Sequence, residues 1–465
     1  MLNPAISLAL RDLRLLFCTL AVLALWSSNL CAQEPPEPWR LNRAFEGPTW
    51  LKVSGIHRTR FESINGQPRP SKPERDDQWF ARTSLRADAN WDGVGATVEL
   101  MDSRVYGGDD DAFASTAFTN TTDFIQAHSW FDLGRAGSGS QRLLVGRYTM
   151  SVGSRRFVIR NGFRNTVNTF TGVDYLWKNE DGAKFRAFWT MPVRRRPGNE
   201  DQASLRDNKF AWDDQDPDRQ FYGLFTSRKI TANTDFEAFV YGKHNDEDGA
   251  AKIEIYTPGL RLHKPSAEGQ FFGQLEMAGQ VGRSQASAGS ATLDHSAMFA
   301  HASVGYTADH QSKPTIRLAW DYASGDRDPN DGENNRFDRL YGAPRFEYCP
   351  TGLYGVVQRS NINTPELRLS IKPSPNSWLM VAYRNLELAA ARDGWVANGV
   401  RDLSGAAGRQ IGQQMELRLR YDFLPGNMYV ETGGAYLFAG NFLEEASPRG
   451  GQDTSYGYCE MIWTF

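Results

Sequence analysis

Stretches of this chain alternate apolar and polar residues one by one, and the gaps between those stretches alternate too. The clearest stretch is Trp79–Trp91. Trp79, Ala81, Thr83, Leu85, Ala87, Ala89 and Trp91 fall on one side, and Arg82, Ser84, Arg86, Asp88 and Asn90 on the other, with Phe80 the exception. A period of two places an apolar and a polar face on one strand. The pattern recurs where Met415, Leu417, Leu419 and Tyr421 alternate with Glu416, Arg418, Arg420 and Asp422, and where Leu367, Leu369 and Ile371 alternate with Glu366, Arg368 and Lys372. Read throughout, the chain predicts about 18 strands, starting near residues 50, 78, 94, 124, 142, 172, 183, 219, 233, 253, 269, 297, 314, 364, 377, 411, 427 and 454. The gaps run roughly 15, 2, 20, 8, 21, 4, 27, 3, 10, 6, 15, 6, 40, 3, 22, 3 and 15 residues, long and short in turn.

That double alternation predicts an all-β transmembrane barrel, antiparallel and up-and-down, with long extracellular loops and short periplasmic turns. A soluble sandwich or propeller has no reason to place long and short connections so regularly. Composition agrees: mean hydropathy is −0.53, yet aromatic residues reach 12% and Gly numbers 43. A wall needs apolar residues only at alternate positions. The short gaps hold turn formers, such as Asp92-Gly93, Ser374-Pro375-Asn376 and Pro425-Gly426. The long gaps read as polar and charged, as in Asp213–Asp218. The last strand ends in Trp463-Thr464-Phe465, as bacterial outer-membrane barrels do.

Arg11 and Arg14 precede an apolar run, Leu15–Trp26, and then Cys31-Ala32. This predicts a secretory signal peptide over 1–32, an N-terminal periplasmic segment over 33–49 and an outer-membrane barrel over 50–465. Cys18 and Cys31 belong to the leader. Cys459 shares the apolar face of the last strand and Cys349 lies in the longest loop, so no disulfide is expected. Lys plus Arg is 52 against 55 Asp plus Glu, which argues against a nucleic-acid partner. Outer-membrane lipid is the expected surrounding.

With lipid outside, the polar faces must line the lumen. Arg58, Arg60, Arg82, Arg86, Arg317, Arg368, Arg418 and Arg420 are its basic candidates, with Lys52, Lys184, Arg186, Arg261 and Lys372. Glu99 and Asp321 are among ten acidic ones. One reading has these charges paired across neighbouring strands as structural support. The other makes an unpaired arginine surplus a ladder for carboxylates, which the planar guanidinium binds with two parallel bonds. Arg155, Arg156, Arg160 and Arg164, with Arg147 before them, form a second cluster after the fifth strand. Folded inward, that loop would form an anion-selective constriction; kept outside, it would bind surface sugars.

Enzymatic signals are absent: no phosphate loop, HExxH or paired-Cys spacing occurs. Asp326–Gly332 resembles the start of an EF-hand, but its Gly is one place late and Phe337 stands at position twelve. It leaves room for a weak loop Ca2+ site, and no other cofactor is expected.

Several segments resemble the alginate export family of bacterial outer-membrane porins over nearly all of the mature chain. They are Val98-Glu99-Leu100-Met101-Asp102-Ser103-Arg104, Val145-Gly146-Arg147 leading to Gly153-Ser154-Arg155-Arg156, Tyr322-Ala323-Ser324-Gly325-Asp326, Phe337-Asp338-Arg339-Leu340-Tyr341 and Ile411-Gly412-Gln413. The resemblance implies an 18-stranded barrel whose positively charged lumen passes an anionic uronate polymer, gated by loops and a periplasmic turn. A periplasmic export-complex partner is part of that expectation. Phe170-Thr171-Gly172 and Tyr341-Gly342-Ala343 depart from the family pattern. The alternatives are a general pore for small anionic nutrients and, from another class, a secreted β-sandwich enzyme acting on polysaccharide.

Overall fold

Alternating side chains force a strand to bury one face, and here the strands bury it inside a closed ring. The computed structural model describes residues 37–44, 47–345, 347–395 and 398–465; the signal-peptide expectation over 1–32 lies outside them. The strands are β1 (Leu51–Asn65), β2 (Arg75–Trp91), β3 (Val94–Tyr106), β4 (Asn120–Ala136), β5 (Gly139–Tyr148) and β6 (Phe170–Asn179). Next come β7 (Lys184–Pro192), β8 (Arg219–Thr231), β9 (Thr234–Asn245), β10 (Ile253–Lys264), β11 (Gln270–Gln285), β12 (Thr292–Thr307) and β13 (Thr315–Ala323). After a two-residue β14 (Glu333–Asn334) follow β15 (Ile362–Ile371), β16 (Ser377–Glu387), β17 (Gln410–Leu424), β18 (Met428–Ala439) and β19 (Thr454–Thr464).

Apart from β14, which lies parallel to β12 inside a loop, each strand pairs antiparallel with the next. β1 then pairs with β19, from Ile56 opposite Thr464 to Asn65 opposite Ser455, and closes an 18-stranded barrel. Closure removes every unpaired edge. The C-terminal Phe465 is tied to Gly55 by two backbone bonds of 2.8 and 2.9 Å. Any side chain at Gly55 would collide with the Phe465 ring.

The apolar faces point outward. On β2, Trp79, Leu85 and Trp91 are about half exposed, whereas Phe80 points inward and is fully buried. Leu224, Leu260, Leu275, Val304 and Leu318 continue this exposed band. Water around such a band would be costly; lipid matches it.

Two long loops fold into the barrel. Residues 149–169 join β5 to β6, and residues 324–361 join β13 to β15. Phe157 of the first packs 5.4 Å, centroid to centroid, from both Phe239 and Phe299 on the wall, and 5.9 Å from Phe337 of the second. Phe170, Phe188, Phe221 and Tyr241 extend the cluster. The hydrophobic core therefore sits inside the lumen, near the long-loop end. The 324–361 loop corrects the expectation of polar loops, since Phe337, Leu353, Tyr354, Val356 and Val357 in it are fully buried.

In a third loop, 193–218, Arg195 bonds Val167 O of the inward loop, but residues 208–215 drape over the outside of β3–β5. Asn208 bonds the backbone of Val105 in both directions, at 2.7 and 2.9 Å, and Trp212 stacks on outward-facing Phe124. This corrects two candidates for the lumen. Arg147 alternates to the outer side of β5, beside exposed Val145, and reaches Asp123 at 3.0 Å and Gln215 at 2.9 Å beneath the loop. Arg104 lies on the outer face of β3, in register with Ala81 two places from exposed Trp79, and pairs with Asp102 at 2.9 Å. A charged residue near a strand's loop end still meets headgroups or a covering loop, which strand periodicity cannot reveal.

Two outcomes follow. Leu85→Arg places a cation mid-strand in the lipid band and is expected to destabilise the barrel by about 2–4 kcal/mol, read by urea unfolding in lipid vesicles; a neutral effect would mean that this face does not meet lipid. In the outer loop, burial and then Asp123 push the Asp213 carboxyl up to about 6 from 3.8. A raised carboxyl pKa means that the folded loop holds the proton more tightly. Its anchorage therefore weakens as pH rises from about 4 to about 6 and is level above that. Hydrogen exchange of residues 208–216 should show this step in the native chain and lose it in Asp213→Asn.

Candidate functional site

The inward loop 149–169 is held by arginines of the wall. Arg58 Nη1 donates to the carbonyl oxygens of Gly162 (3.0 Å) and Phe163 (2.8 Å), and its Nη2 to Arg164 O and Asn165 Oδ1, both at 3.0 Å. Arg60 adds Phe163 O at 2.6 Å, and Arg82 adds Gly162 O and Arg164 O at 2.8 and 2.9 Å. All three stand on the inward faces of β1 and β2, where period two puts them side by side. Three guanidiniums thus collect the carbonyls of one turn, a use of arginine that needs no ligand. Asn165 fastens the turn from the other side, donating to Ala81 O, Arg104 O and Phe118 O.

The second loop meets the first. Tyr341 N donates to Phe157 O at 2.9 Å, and a side chain at Gly342 would collide with the carbonyl of Arg156. Arg156 is buried and bridges Glu276 of β11 to Glu347 of the second loop, while Arg359 bonds Glu347 and the carbonyls of Arg156 and Ala343. Although burial favours the neutral acid, Arg156 and Arg359 hold the Glu347 carboxyl well below the usual carboxylate range. Arg345 reaches across to Glu416 and Glu431 at 2.9 Å and to Tyr458 Oη at 2.6 Å.

Between the two loops remains a cavity of about 270 Å³. Arg155, Arg160 and Arg345 line it with Ser151, Asn161 and Phe163, and among the described residues no carboxylate lines it. Arg155 is exposed there on a left-handed backbone (φ 69°). Arg160 faces Glu99 with two bonds of 2.7 and 3.0 Å and Thr149 at 3.1 Å. Arg164, buried deeper, bonds Asn168 Oδ1 at 2.6 Å.

Toward the short-turn end the inward charges stand in pairs, with Arg86–Asp88 and Arg420–Asp422 partly open and Glu366 and Glu431 buried. Arg86 meets Asp88 (2.7 Å), Arg317 meets Glu366 (2.5 Å), Arg368 meets Glu366 (2.8 Å), Arg418 meets Glu431 (3.2 Å) and Arg420 meets Asp422 (2.9 Å). Asp321 is buried against His301 at 2.8 Å. The ladder is therefore one of ion pairs, within a strand for Arg86, Arg368 and Arg420 and across neighbouring strands for Arg317 and Arg418, and not an unpaired surplus. Of the sixteen candidates, the structure brings Arg155 and Arg160 to the cavity with Glu99 behind them. Arg58, Arg60, Arg82, Arg156 and Arg164 hold the loop, and Arg104 and Arg147 lie outside. Arg345, Arg359 and Glu347 were missed because 324–361 reads as one long connection. Its run of apolar and aromatic residues is the signal that it is a packed element. Among the described residues, no group of three or more metal-binding side chains converges, and Asp326 in the EF-hand-like stretch donates its backbone N–H to Asp393 Oδ2 at 2.9 Å.

The barrel is similar to several solved outer-membrane structures. OpdQ of Pseudomonas aeruginosa matches with a TM-score of 0.54 at 15% identity, over 89% of this chain and 98% of that one. OccK2 (OpdF) of the same organism, solved in complex with glucuronate, matches with 0.56 at 12%, over 89% and 96%. OccAB1 of Acinetobacter baumannii gives 0.58 at 11%, over 89% and 96%. No curated protein sequence matches the chain. The alginate export family matches residues 49–456, nearly the whole barrel. The chain is an outer-membrane β-barrel porin and belongs to the alginate export family.

Proposed function

We propose that the chain is a passive channel for carboxylate-bearing saccharides, and that its cargo is an extended uronate polymer leaving the cell. One observation carries this reading: Arg155, Arg160 and Arg345 converge on the gap between the inward loops, where no carboxylate lies among the described lining residues. Guanidiniums there would take successive carboxylates of a threaded chain. Glu99, Glu416 and Glu431 compete for Arg160 and Arg345, which keeps each contact weak enough to release. Such exchange needs no catalytic group, and we read the chain as a conduit and not an enzyme.

A second reading, passage of single sugar acids, draws on the size of the gap and on the glucuronate held by OccK2. The two differ in what blocks and what passes.

Reversal potential across a KCl gradient, with polyuronate then added, tests both. Anion selectivity and block by micromolar polyuronate are expected, with block weakened about tenfold or more in Arg155→Gln/Arg160→Gln. Permeation of glucuronate without polymer block would favour the second reading. Cation selectivity would overturn both.

A further inference from the structure

We propose that the short-turn half of the lumen carries a loading shelf for an anionic saccharide, built by Trp378, Tyr429, Arg418 and Arg420. Trp378 stands on the inward side of β16, in line with buried Met380, Ala382 and Arg384, and Tyr429 on the inward side of β18, in line with Glu431. Both are half-buried. An aromatic girdle facing lipid does not account for them, because they point the other way. Phe157, Phe239, Phe299 and Phe337 of the inward cluster, and Tyr354, Tyr456 and Tyr458 near Phe163, are buried. Trp378 and Tyr429 each keep part of their surface open.

Each ring carries a guanidinium. Arg418 lies 5.1 Å from the Trp378 ring centre, and Arg420 lies 3.6 Å from that of Tyr429. Trp378 is in register with Arg420, which is itself in register with Glu431, so the groups form one patch across three strands. With strands about 4.8 Å apart, β16 to β18 spans about 10 Å, enough to contact more than one ring of a saccharide. Across the lumen the device recurs, with Arg142 stacked 4.0 Å from inward-facing Trp130. Aromatic faces cover the C–H face of a pyranose, and guanidiniums take its carboxylate. Neither group alone specifies a sugar acid; together they do.

The shelf lies at the foot of the constriction. Tyr429 is in register with Ile462, and Ile462 with Arg58, which clamps the inward turn. A saccharide seated on it would be delivered to Arg155 and Arg160. Asp422 and Glu431 keep the arginines occupied until a uronate carboxylate displaces them.

This inference rests on the proposed function, and the test separates the two. Polyuronate is added to one side or the other of a bilayer holding oriented barrels, and the rate of block is measured from each side. In Trp378→Ala/Tyr429→Ala, block from the short-turn side should slow about tenfold, while block from the long-loop side keeps its rate. Trp378→Phe with Tyr429→Phe should restore most of it. Equal rates in native and variant barrels would overturn the shelf and leave the channel reading standing. Absence of block in the native barrel would overturn both. If the double variant does not give the heat-modifiable mobility of a folded barrel, Arg420→Gln with the same side-resolved readout decides.

Discussion

Three guanidiniums on two neighbouring strands hold a loop inside this barrel, and the rest of the lumen is arranged around that contact. Arg58, Arg60 and Arg82 converge on the carbonyls of residues 162–164. A turn with its carbonyls pointing into a lumen would leave acceptors exposed to competing water; collected by charged donors, it stays. With that turn fixed, Phe157 is carried to the opposite wall, where β9 and β12 offer Phe239 and Phe299. The second loop then has a surface to pack on, and a gap of about 270 Å³ is left between the two.

Buried ion pairs do a different task from stability here. Arg156 with Glu276 and Glu347, and Arg345 with Glu416 and Glu431, are almost wholly removed from water. Removing two charges from water costs nearly as much as their attraction returns, so such pairs add little net stability. They specify position: an apolar plug could dock in many registers, but Glu347 can satisfy Arg156 and Arg359 in one. In the proposed channel a passing carboxylate would compete with carboxylates already in place.

The barrel was legible in the sequence because a wall between lipid and water imposes a period of two on every strand. Expected strand starts such as 94, 219, 253, 377 and 454 coincide with those of β3, β8, β10, β16 and β19. What the lumen contains was less legible. Arg58, Arg60 and Arg82 lie on the polar face as expected, yet they bind backbone carbonyls, which have no signature in a sequence. Arg104 and Arg147 follow the parity of their strands outward, but near a strand's loop end a charge is tolerated on either face, so its type does not tell its side. Arg345 escaped notice because contacts to Glu416 and Glu431 join residues 71 and 86 positions apart through an irregular loop. Periodicity has nothing to say about such a loop.

The central claim is that pore width is set by the clamped loops and not by the 18-stranded wall. Unitary conductance of the native barrel, compared with one in which Arg58, Arg60 and Arg82 are all replaced by Gln, tests it most directly. The account predicts a small native conductance and a several-fold rise once the turn is released. Equal conductances in two barrels of matched folded mobility would contradict it.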